Sequence, residues 1–414
     1  MALLLLAASP PVMSQGWNIN LISTLPDSEA VHAVDISGDY AYTVTTSTTS
    51  KLHIINVADP SFPVETGLMQ VASNYPYALK VEPPYAYIAG GDSGLIIVNI
   101  SDSSQPYAVA NSPGLAGNVT LDGNYAYVVN GYLAGLSIIN VADPLNPIPT
   151  GYISVEPEIA TSLEVAVDGG FAYVADGIGL LIINVIDPAN PVRASGFVGS
   201  GLSDARHVAL YDTLAYVSSM YTVAVINISD PHQPVQVGEF TEDYPVNELA
   251  VSGSHLYLGE GYGGFKVLSL TPNPVQPLLV GWYDTEGIAH SLTVKNDNTY
   301  VADWSDFSIY DCSQALPVVP EIPAQPPSEF ILLQNCPNPF NAATAISYQL
   351  PFASQVKLNV YDTSGRLVST LVDGWQQSGT HSAIFNGSNL ASGVYLYRLT
   401  AKQNTAVGKM ALLK

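Results

Sequence analysis

A pattern of 40 to 46 residues recurs seven times between residues 31 and 317, and it constrains the fold more than any other feature of the chain. Each copy has an alternating aliphatic segment, a turn, a Tyr-Ala-Tyr triplet or a variant of it, a loop, an apolar segment such as Leu-x-Ile-Ile-Asn-Val, and a second turn, usually Asp-Pro-x-x-Pro. The last residue of each triplet is the reference tyrosine of its copy: Tyr42, Tyr87, Tyr127, Tyr173, Tyr216, Tyr257 and Tyr300. Four strand-like segments in each copy predict a chain of repeated four-stranded sheets.

The residues ahead of each reference tyrosine predict the first strand of every copy. The positions eight and six residues before that tyrosine are aliphatic in all seven copies, and residues two apart share one face of a strand. We expect these strands to be the innermost ones, and the reference tyrosines to be buried between copies. Repeats of this length with four strands are typical of propeller blades. The sequence therefore predicts an all-β protein whose residues 15–317 form a seven-bladed β-propeller.

Two details predict how the propeller closes and what its cysteine does. The seventh copy has no outer strand, whereas residues 17–25 precede the first copy and belong to none. We expect residues 17–25 to complete the seventh blade, which would remove an open sheet edge. Cys312 replaces a valine of other third strands, so we expect a buried thiol and no disulfide with Cys336. The aspartates of the Asp-Pro turns are expected to form turns and to have no catalytic role.

The third strands and their turns carry a resemblance to a known family. Residues 97–102 read Ile-Val-Asn-Ile-Ser-Asp, and residues 225–231 read Val-Ile-Asn-Ile-Ser-Asp-Pro. These segments resemble the LVIVD-repeat propeller family, and the likeness covers about residues 17–317. It implies a β-propeller on an extracellular or surface protein, and it implies almost nothing about the ligand.

Residues 330–414 form a second domain, which follows a Pro-rich linker over residues 318–329. They hold six basic and two acidic residues, a net charge of +4, whereas residues 1–329 hold six basic and 33 acidic residues, a net charge of −27. Alternating segments in this domain predict a small antiparallel β-sandwich. Its motifs include Gln-Asn-Cys-Pro-Asn-Pro-Phe-Asn at 334–341, Val-Tyr-Asp at 360–362 and Ser-Gly-Val-Tyr at 392–395.

These motifs resemble the type A C-terminal sorting domain of type IX secretion. The resemblance implies an immunoglobulin-like fold for residues 330–414 and contact of these residues with the secretion machinery. It also implies passage across both membranes of a Gram-negative bacterium, often followed by removal of the domain and attachment to the cell surface. An accessory immunoglobulin-like module without a sorting role is the alternative.

The N-terminal segment indicates the compartment of the protein, and the net charge limits the kinds of partner that it can bind. Residues 1–14 resemble the end of a secretory signal peptide but lack its basic start, which suggests a truncated or misplaced beginning. No later segment has 18 consecutive apolar residues, so no transmembrane helix is expected. The charge of −27 would repel nucleic acid and anionic lipid. We expect a protein that is secreted or held on the outer cell surface.

The sequence has no specific catalytic motif, and its functional residues can be predicted only from their positions. It contains no G-x-S-x-G, H-E-x-x-H, C-x-x-C, Walker or EF-hand pattern. In a propeller the first strands begin at one mouth of the central channel, and the loops between second and third strands open on the same side. The residues expected around this mouth are His32, Tyr77, Glu164, Arg206, His207, Glu248, His290, Asp176, Glu260 and Trp304.

These residue types allow three functional hypotheses. Aromatic and acidic groups around a mouth suit an extracellular carbohydrate or protein, bound without catalysis, and this is the leading hypothesis. An extracellular polysaccharide lyase or hydrolase that uses the acidic rim is the second, and a structural surface-layer component is the third. Glu164, His207 and Glu248 share one register in three consecutive copies, so they could hold a divalent cation or simply form a polar rim. We expect a monomer and no other cofactor.

Overall fold

The structure is a computed structural model that describes residues 16–47, 50–73, 75–130, 135–154, 164–199, 201–316, 330–332, 335, 338, 340, 343–352, 354–376, 379–387, 390–402 and 404–413. Every regular element of this part of the chain is a β-strand. The chain divides into two compact units, Met1–Pro317 and Val318–Lys414. Among the described residues no helix could cross a membrane. The signal peptide at 1–14 and the linker at 318–329 lie outside the described residues and stay predictions.

The strands of the first unit follow the order predicted from the repeats. Those of the first three copies are β1 (Gly16–Trp17), β2 (Asn20–Ser37), β3 (Tyr40–Thr46), β4 (Lys51–Asn56), β5 (Val64–Gln70), β6 (Ala78–Glu82), β7 (Tyr85–Ala89), β8 (Leu95–Asn99), β9 (Tyr107–Ser112), β10 (Asn118–Asp122), β11 (Tyr125–Val129), β12 (Gly135–Asn140) and β13 (Ile148–Ser154). Those of the last four copies are β14 (Glu164–Asp168), β15 (Phe171–Ala175), β16 (Leu180–Asn184), β17 (Val192–Phe197), β18 (His207–Tyr211), β19 (Leu214–Ser218), β20 (Thr222–Asn227), β21 (Val235–Thr241), β22 (Glu248–Ser252), β23 (His255–Gly259), β24 (Phe265–Ser269), β25 (Leu278–Tyr283), β26 (Ser291–Lys295), β27 (Asn298–Ala302) and β28 (Trp304–Asp311).

Hydrogen bonding groups these strands into antiparallel blades. Blades two to five are the separate sheets β6–β9, β10–β13, β14–β17 and β18–β21, and blade six is β22–β25 with β1 added at its outer edge. Blade one (β2–β5) and blade seven (β26–β28) share the strand β2. The first strands contact one another in sequence order, and β26 contacts β2, so they surround a channel. This is the architecture of a β-propeller, and the pairing of the described strands gives seven blades.

The long strand β2 closes the ring. Its first part, from Asn20 to Pro26, pairs with β28 and supplies the outer strand of blade seven, whereas its last part is the first strand of blade one. The expectation that this segment completes the last blade is therefore confirmed for Asn20–Pro26. Trp17 differs from that expectation, because it pairs with Trp282 at the outer edge of blade six.

Apolar cores lie between consecutive blades. All seven reference tyrosines are buried, as predicted. Tyr42 packs with Leu79 of blade two, and the corresponding core between blades seven and one joins Tyr300 to Val34 and Ala41. The channel is therefore surrounded by a ring of sheets in which neighbouring blades share apolar cores.

The Asp-Pro turns and Cys312 have the structural roles expected of them. In the turn of blade three, Oδ1 of Asp143 accepts a hydrogen bond of 3.1 Å from the backbone N of Leu145. The outer strands also contact the following turn: a Cβ added to Gly67 would lie 1.9 Å from the backbone O of Ser103. Cys312 is a buried free thiol, 3.2 Å from Oγ1 of Thr299.

The second unit is a two-sheet sandwich around one core. Its strands are β29 (Ile331–Leu332), β30 (Ala343–Leu350), β31 (Ser354–Tyr361), β32 (Leu367–Gln376), β33 (Gly379–Asn386), β34 (Gly393–Ala401) and β35 (Asn404–Leu412). One sheet has the order β29-β30-β33 and the other β32-β31-β34-β35. Phe340, Phe385 and Tyr397 belong to the shared core. The predicted β-sandwich is thus observed, and its immunoglobulin-like character stays a prediction.

Candidate functional site

The central channel forms a cavity of about 630 Å³ that the first strands of all seven blades line. Seven of the ten predicted site residues line it: His32, Tyr77, Glu164, Arg206, His207, Glu248 and His290. Their placement follows from the repeat, because each lies at the beginning of a first strand or within the two residues before it, except on the longer β2. Asp176, Glu260 and Trp304 do not line this cavity.

Glu164, His207 and Glu248 are brought together inside the channel. They are the first residues of β14, β18 and β22, and one ligand atom of each lies within 4.8 Å of the other two. Nδ1 of His207 lies 3.2 Å from Oε2 of Glu164, and the same oxygen accepts a hydrogen bond of 3.1 Å from the backbone N of Val208. The carboxylate of one blade thus accepts a hydrogen bond from the innermost strand of the next blade.

The proximity of these groups changes their protonation. Burial and the charge of Glu164 raise the pKa of Glu248 to about 7, although His207 and Lys80 oppose the shift. Burial disfavours the charged form of His207, but its hydrogen bond to Glu164 and the charges of both glutamates outweigh this and raise its pKa. Near neutral pH the carboxyl group of Glu248 can therefore exchange a proton, and the imidazole of His207 holds its proton more firmly than a free histidine does.

Lys80 is a channel residue that the sequence analysis missed. It lines the cavity, and its side chain is exposed to the water of the channel although protein surrounds it on all sides. Burial alone would lower the pKa of Lys80, but the charges of Asp35, Glu248 and Glu164 raise it. The signal was available, because Lys80 lies seven residues before its reference tyrosine. This is two positions along the strand from the register that Glu164, His207 and Glu248 share, and therefore on the same strand face.

An aromatic cluster lies at one side of the channel mouth. The rings of His32 and His290 have centroids 4.0 Å apart, and Trp304 lies 5.4 Å from His32 and 5.8 Å from His290. The ring of Tyr77 meets His32 edge-on at 6.4 Å. Burial lowers the pKa of His32 to about 4 and that of His290 to about 3, so both imidazoles are neutral at physiological pH. The cluster therefore presents an uncharged aromatic surface.

Asp176 and Glu260 differ from their expected position, because both are buried away from the rim. Each lies three residues after the reference tyrosine of its blade. In six blades the described residue at this position is polar and buried. These residues are Thr45, Asn130, Asp176, Ser219, Glu260 and Asp303. Asp303 accepts hydrogen bonds from Oγ1 of Thr285 and the backbone N of Gly287, and so ties its blade to the connection from the previous blade. This position stabilises connections between blades.

Glu260 belongs to a buried charge group in blade six. Nζ of Lys266 lies 3.0 Å from Oε1 of Glu260, and it also contacts Glu242. Burial and the neighbouring Glu242 raise the pKa of Glu260 to about 8, against the effect of Lys266. Arg206, in contrast, stays at the mouth, where its guanidinium pairs with Asp204 at 2.6 Å.

The two faces of the propeller expose different side chains. We call the face on which the first strands begin the aromatic face, because its connections and strand ends expose Tyr75, Tyr77, Tyr221, Tyr244, Tyr262 and Trp304. The opposite face, formed by the Asp-Pro turns, is the Asp-Pro face. Its turns expose Phe62, Leu145 and Ile186, and Tyr107 is exposed where an outer strand begins. Tyrosine and tryptophan side chains that are exposed together are more typical of a binding surface than of a structural one.

The closed ring of blades, its central channel and its two faces show that this protein is a β-propeller. Sequence comparison gives its family. Six segments that together span more than half of the chain match the LVIVD repeat, namely residues 30–71, 78–111, 113–153, 161–197, 203–242 and 286–315. The chain therefore belongs to the LVIVD-repeat family. The unmatched interval contains most of blade six, whose turn has Asn273 in place of the usual aspartate.

The C-terminal part matches a second family. Residues 336–412 match the secretion system C-terminal sorting domain. This match indicates export by type IX secretion, as in Bacteroidetes, to the cell surface or the extracellular space, and an interaction of the tail with the secretion machinery. The predicted location is thereby confirmed, whereas the predicted monomeric state and the ligand stay predictions.

Solved structures resemble the chain in fold only. BamB from Moraxella catarrhalis is 12% identical, with a TM-score of 0.51 and coverage of 71% of this chain and 99% of BamB. PorZ from Porphyromonas gingivalis, an essential surface component of its type IX secretion system, is 11% identical with a TM-score of 0.53, and the alignment covers 94% of this chain and 60% of PorZ. The periplasmic gluconolactonase PpgL of Pseudomonas aeruginosa is 12% identical with a TM-score of 0.53, covering 62% of this chain and 86% of PpgL. No curated protein matches the sequence.

Proposed function

We propose that this exported propeller binds an extracellular glycan on its aromatic face and does not transform it. The observation that carries the proposal is the exposure of six tyrosine and tryptophan side chains on that face. Flat aromatic rings bind the apolar faces of sugar rings, and acidic side chains accept hydrogen bonds from sugar hydroxyl groups. Trp304 is well placed for stacking, because it is 43% exposed and fixed at the mouth beside His32 and His290.

The charge of the propeller restricts the kind of glycan. Residues 1–329 carry a net charge of −27, so a polyanionic ligand would be repelled. His32 and His290 do not offset this repulsion, because their lowered pKa values keep them neutral. A neutral polysaccharide is therefore the proposed ligand class.

The test compares exposed aromatic residues on the two faces. We expect the full chain to bind at least one member of a panel of soluble neutral polysaccharides, measured by isothermal titration calorimetry. Trp304→Ala and Tyr262→Ala should each weaken this binding by about 5- to 10-fold, since an aromatic contact contributes about 1 kcal/mol. Phe62→Ala is the matched control, because Phe62 is an exposed aromatic residue on the Asp-Pro face.

Two results would overturn the proposal. One is equal weakening by Phe62→Ala and Trp304→Ala, which would mean that the aromatic face is not the binding surface. The other is the absence of binding to every polysaccharide of the panel at millimolar concentration, which would instead favour a protein ligand or a structural role.

An extracellular glycan-active enzyme is the second candidate, and the pair Glu164 and Glu248 favours it. Retaining glycosidases use two carboxyl groups about 5 Å apart, one of which is protonated near neutral pH. The closeness of the two glutamates and the pKa of about 7 at Glu248 fit this requirement. The calorimetric samples should therefore be assayed for new reducing ends and unsaturated sugars. Turnover that is abolished in Glu248→Gln would mean that the protein is a glycan-active enzyme, and the proposal of binding without catalysis would be wrong.

A further inference from the structure

We propose that Glu164, His207 and Glu248 form a binding site for one divalent transition-metal ion of the zinc type inside the channel. Three consecutive blades each contribute one ligand from the first residue of a first strand. The site is independent of the glycan surface proposed above, because none of the three side chains belongs to the aromatic cluster at the mouth.

The donor set fits zinc better than calcium or magnesium. One imidazole nitrogen and two carboxylate oxygens are ligands that zinc accepts, whereas calcium and magnesium prefer oxygen alone. Bonds of 2.0 to 2.2 Å in a tetrahedral site place neighbouring ligand atoms about 3.4 Å apart. Nδ1 of His207 and Oε2 of Glu164 already lie 3.2 Å apart, and all three donors lie within 4.8 Å of one another, which is at most about 1.4 Å more than this spacing.

Contacts behind the donors hold them in place. The backbone N of Val208 donates to Oε2 of Glu164, and the backbone N of Leu249 donates to Oε1 of Glu248 at 3.2 Å. Such outer contacts orient ligands and raise metal affinity. The cavity in front of the three side chains is large enough for water to fill the fourth position.

The electrostatics of the cluster also favour a dication. Glu164 and Glu248 bring two carboxylate groups within 4.8 Å of each other, and a dication between them would be attracted by both. Lys80 is the competing cation, because its charge acts on both glutamates. Arg206 is turned toward Asp204, with which it pairs. Removal of Lys80 should therefore strengthen metal binding.

The chain offers a matched control in blade one. His53 also lies between two carboxylates, with Nδ1 2.7 Å from Oε2 of Glu65 and Nε2 3.4 Å from Oδ2 of Asp27. These carboxylates face opposite sides of the imidazole ring, so one ion cannot contact both of them together with one ring nitrogen. His53 thus has two acidic neighbours, as His207 does, but their carboxylates do not point toward one common position.

The experiment uses the untagged full chain, stripped of metal by a chelator and titrated with zinc chloride in a calorimeter. We expect one zinc ion per chain, and a loss of affinity of about 100-fold in Glu248→Gln and in Glu164→Gln, since even outer-contact losses cost 10- to 100-fold. His53→Gln should bind as the unaltered protein does, and Lys80→Met should bind more tightly. Far-UV circular dichroism of each variant checks that the propeller is folded.

Three outcomes would overturn the site: no saturable binding with a stoichiometry of one, unchanged affinity in both glutamine variants, or equal loss in His53→Gln. Loss of zinc binding in His290→Phe with unchanged binding in Glu248→Gln would place the ion at the aromatic cluster and would also contradict the proposal. Trp304→Ala should leave zinc binding unchanged, so a failure of the glycan proposal is distinguishable from a failure of this one.

Discussion

The aromatic face and the Asp-Pro face of the propeller are made by the same strands but are constrained by different physics. On the Asp-Pro face the turns repeat almost residue for residue, because each must accept its own backbone hydrogen bonds and contact the neighbouring outer strand. On the aromatic face the connections differ in length, and the spacing of the reference tyrosines varies from 40 to 46 residues. Repetition marks the face whose turns stabilise the ring, and variation marks the face on which we propose that the ligand binds.

The strongest test of this difference is an added methyl group on the Asp-Pro side. Gly67→Ala would place a Cβ 1.9 Å from the backbone O of Ser103, so the two blades must move apart. We expect the free energy of unfolding to fall by about 3 kcal/mol, measured by urea denaturation, with no effect on ligand binding to the remaining folded protein.

Gly374→Ala is the control for this substitution, because a Cβ at Gly374 meets nothing within 4 Å and the residue also lies in a strand. It should change stability by less than about 1 kcal/mol. Equal effects of the two substitutions would show that the contact between Gly67 and Ser103 is unimportant.

A smaller effect is expected from the buried charge group beneath the aromatic face. The pKa of Glu260 is raised to about 8 in the folded protein, from an ordinary value near 4.5, so the folded state binds a proton that the unfolded state has lost. Stability from this group is present below pH 4.5 and is lost as the pH rises toward and through 8. In Glu260→Gln the decrease of the urea midpoint between pH 5 and pH 9 should be shallower than in the unaltered protein.

This pH dependence has a matched reference in Asp303→Asn. Asp303 occupies the same position in blade seven, and its pKa is raised only to about 6. The pH range over which the stabilising effect of Asp303 is lost therefore ends about two pH units below the range for Glu260. The idea fails if the two variants flatten the pH profile over the same range.

The smallest expected effect is at a single exposed turn. Asp143→Ala removes the hydrogen bond to the backbone N of Leu145 and another to the side chain of Asn146. A loss of about 1 kcal/mol is expected in the same urea experiment. A loss as large as that of Gly67→Ala would mean that turn chemistry, and not contact between blades, dominates the stability of this face.

The sequence predicted the backbone of the propeller well and its side-chain environments less well. Strand alternation fixes register, so the burial of the reference tyrosines followed directly. The missing outer strand of the seventh copy indicated the role of Asn20–Pro26. Register does not say how deep a polar side chain lies, which depends on the next blade and on the connection above it. For this reason Asp176 and Glu260 were placed on the rim although they are buried, and Lys80 was overlooked although it lines the channel.

Within the candidate site, the position of a residue was predictable and its chemistry was not. One register in three consecutive copies was enough to bring Glu164, His207 and Glu248 together. The neutral state of His32 and His290 comes mainly from their burial, in a cluster where Trp304 from a distant segment lies beside both rings. Such contacts between distant segments are set by the three-dimensional structure and leave no periodic signal.

The shared strand β2 also determines when the molecule is complete. The hydroxyl groups of Thr24 and Ser308 are 3.0 Å apart in space and 284 residues apart along the chain. A polypeptide that stops before β28 would therefore be an open arc with two unpaired edges, prone to associate with other chains. The first part of β2 can therefore pair with β28 only after the chain has been synthesised through Asp311.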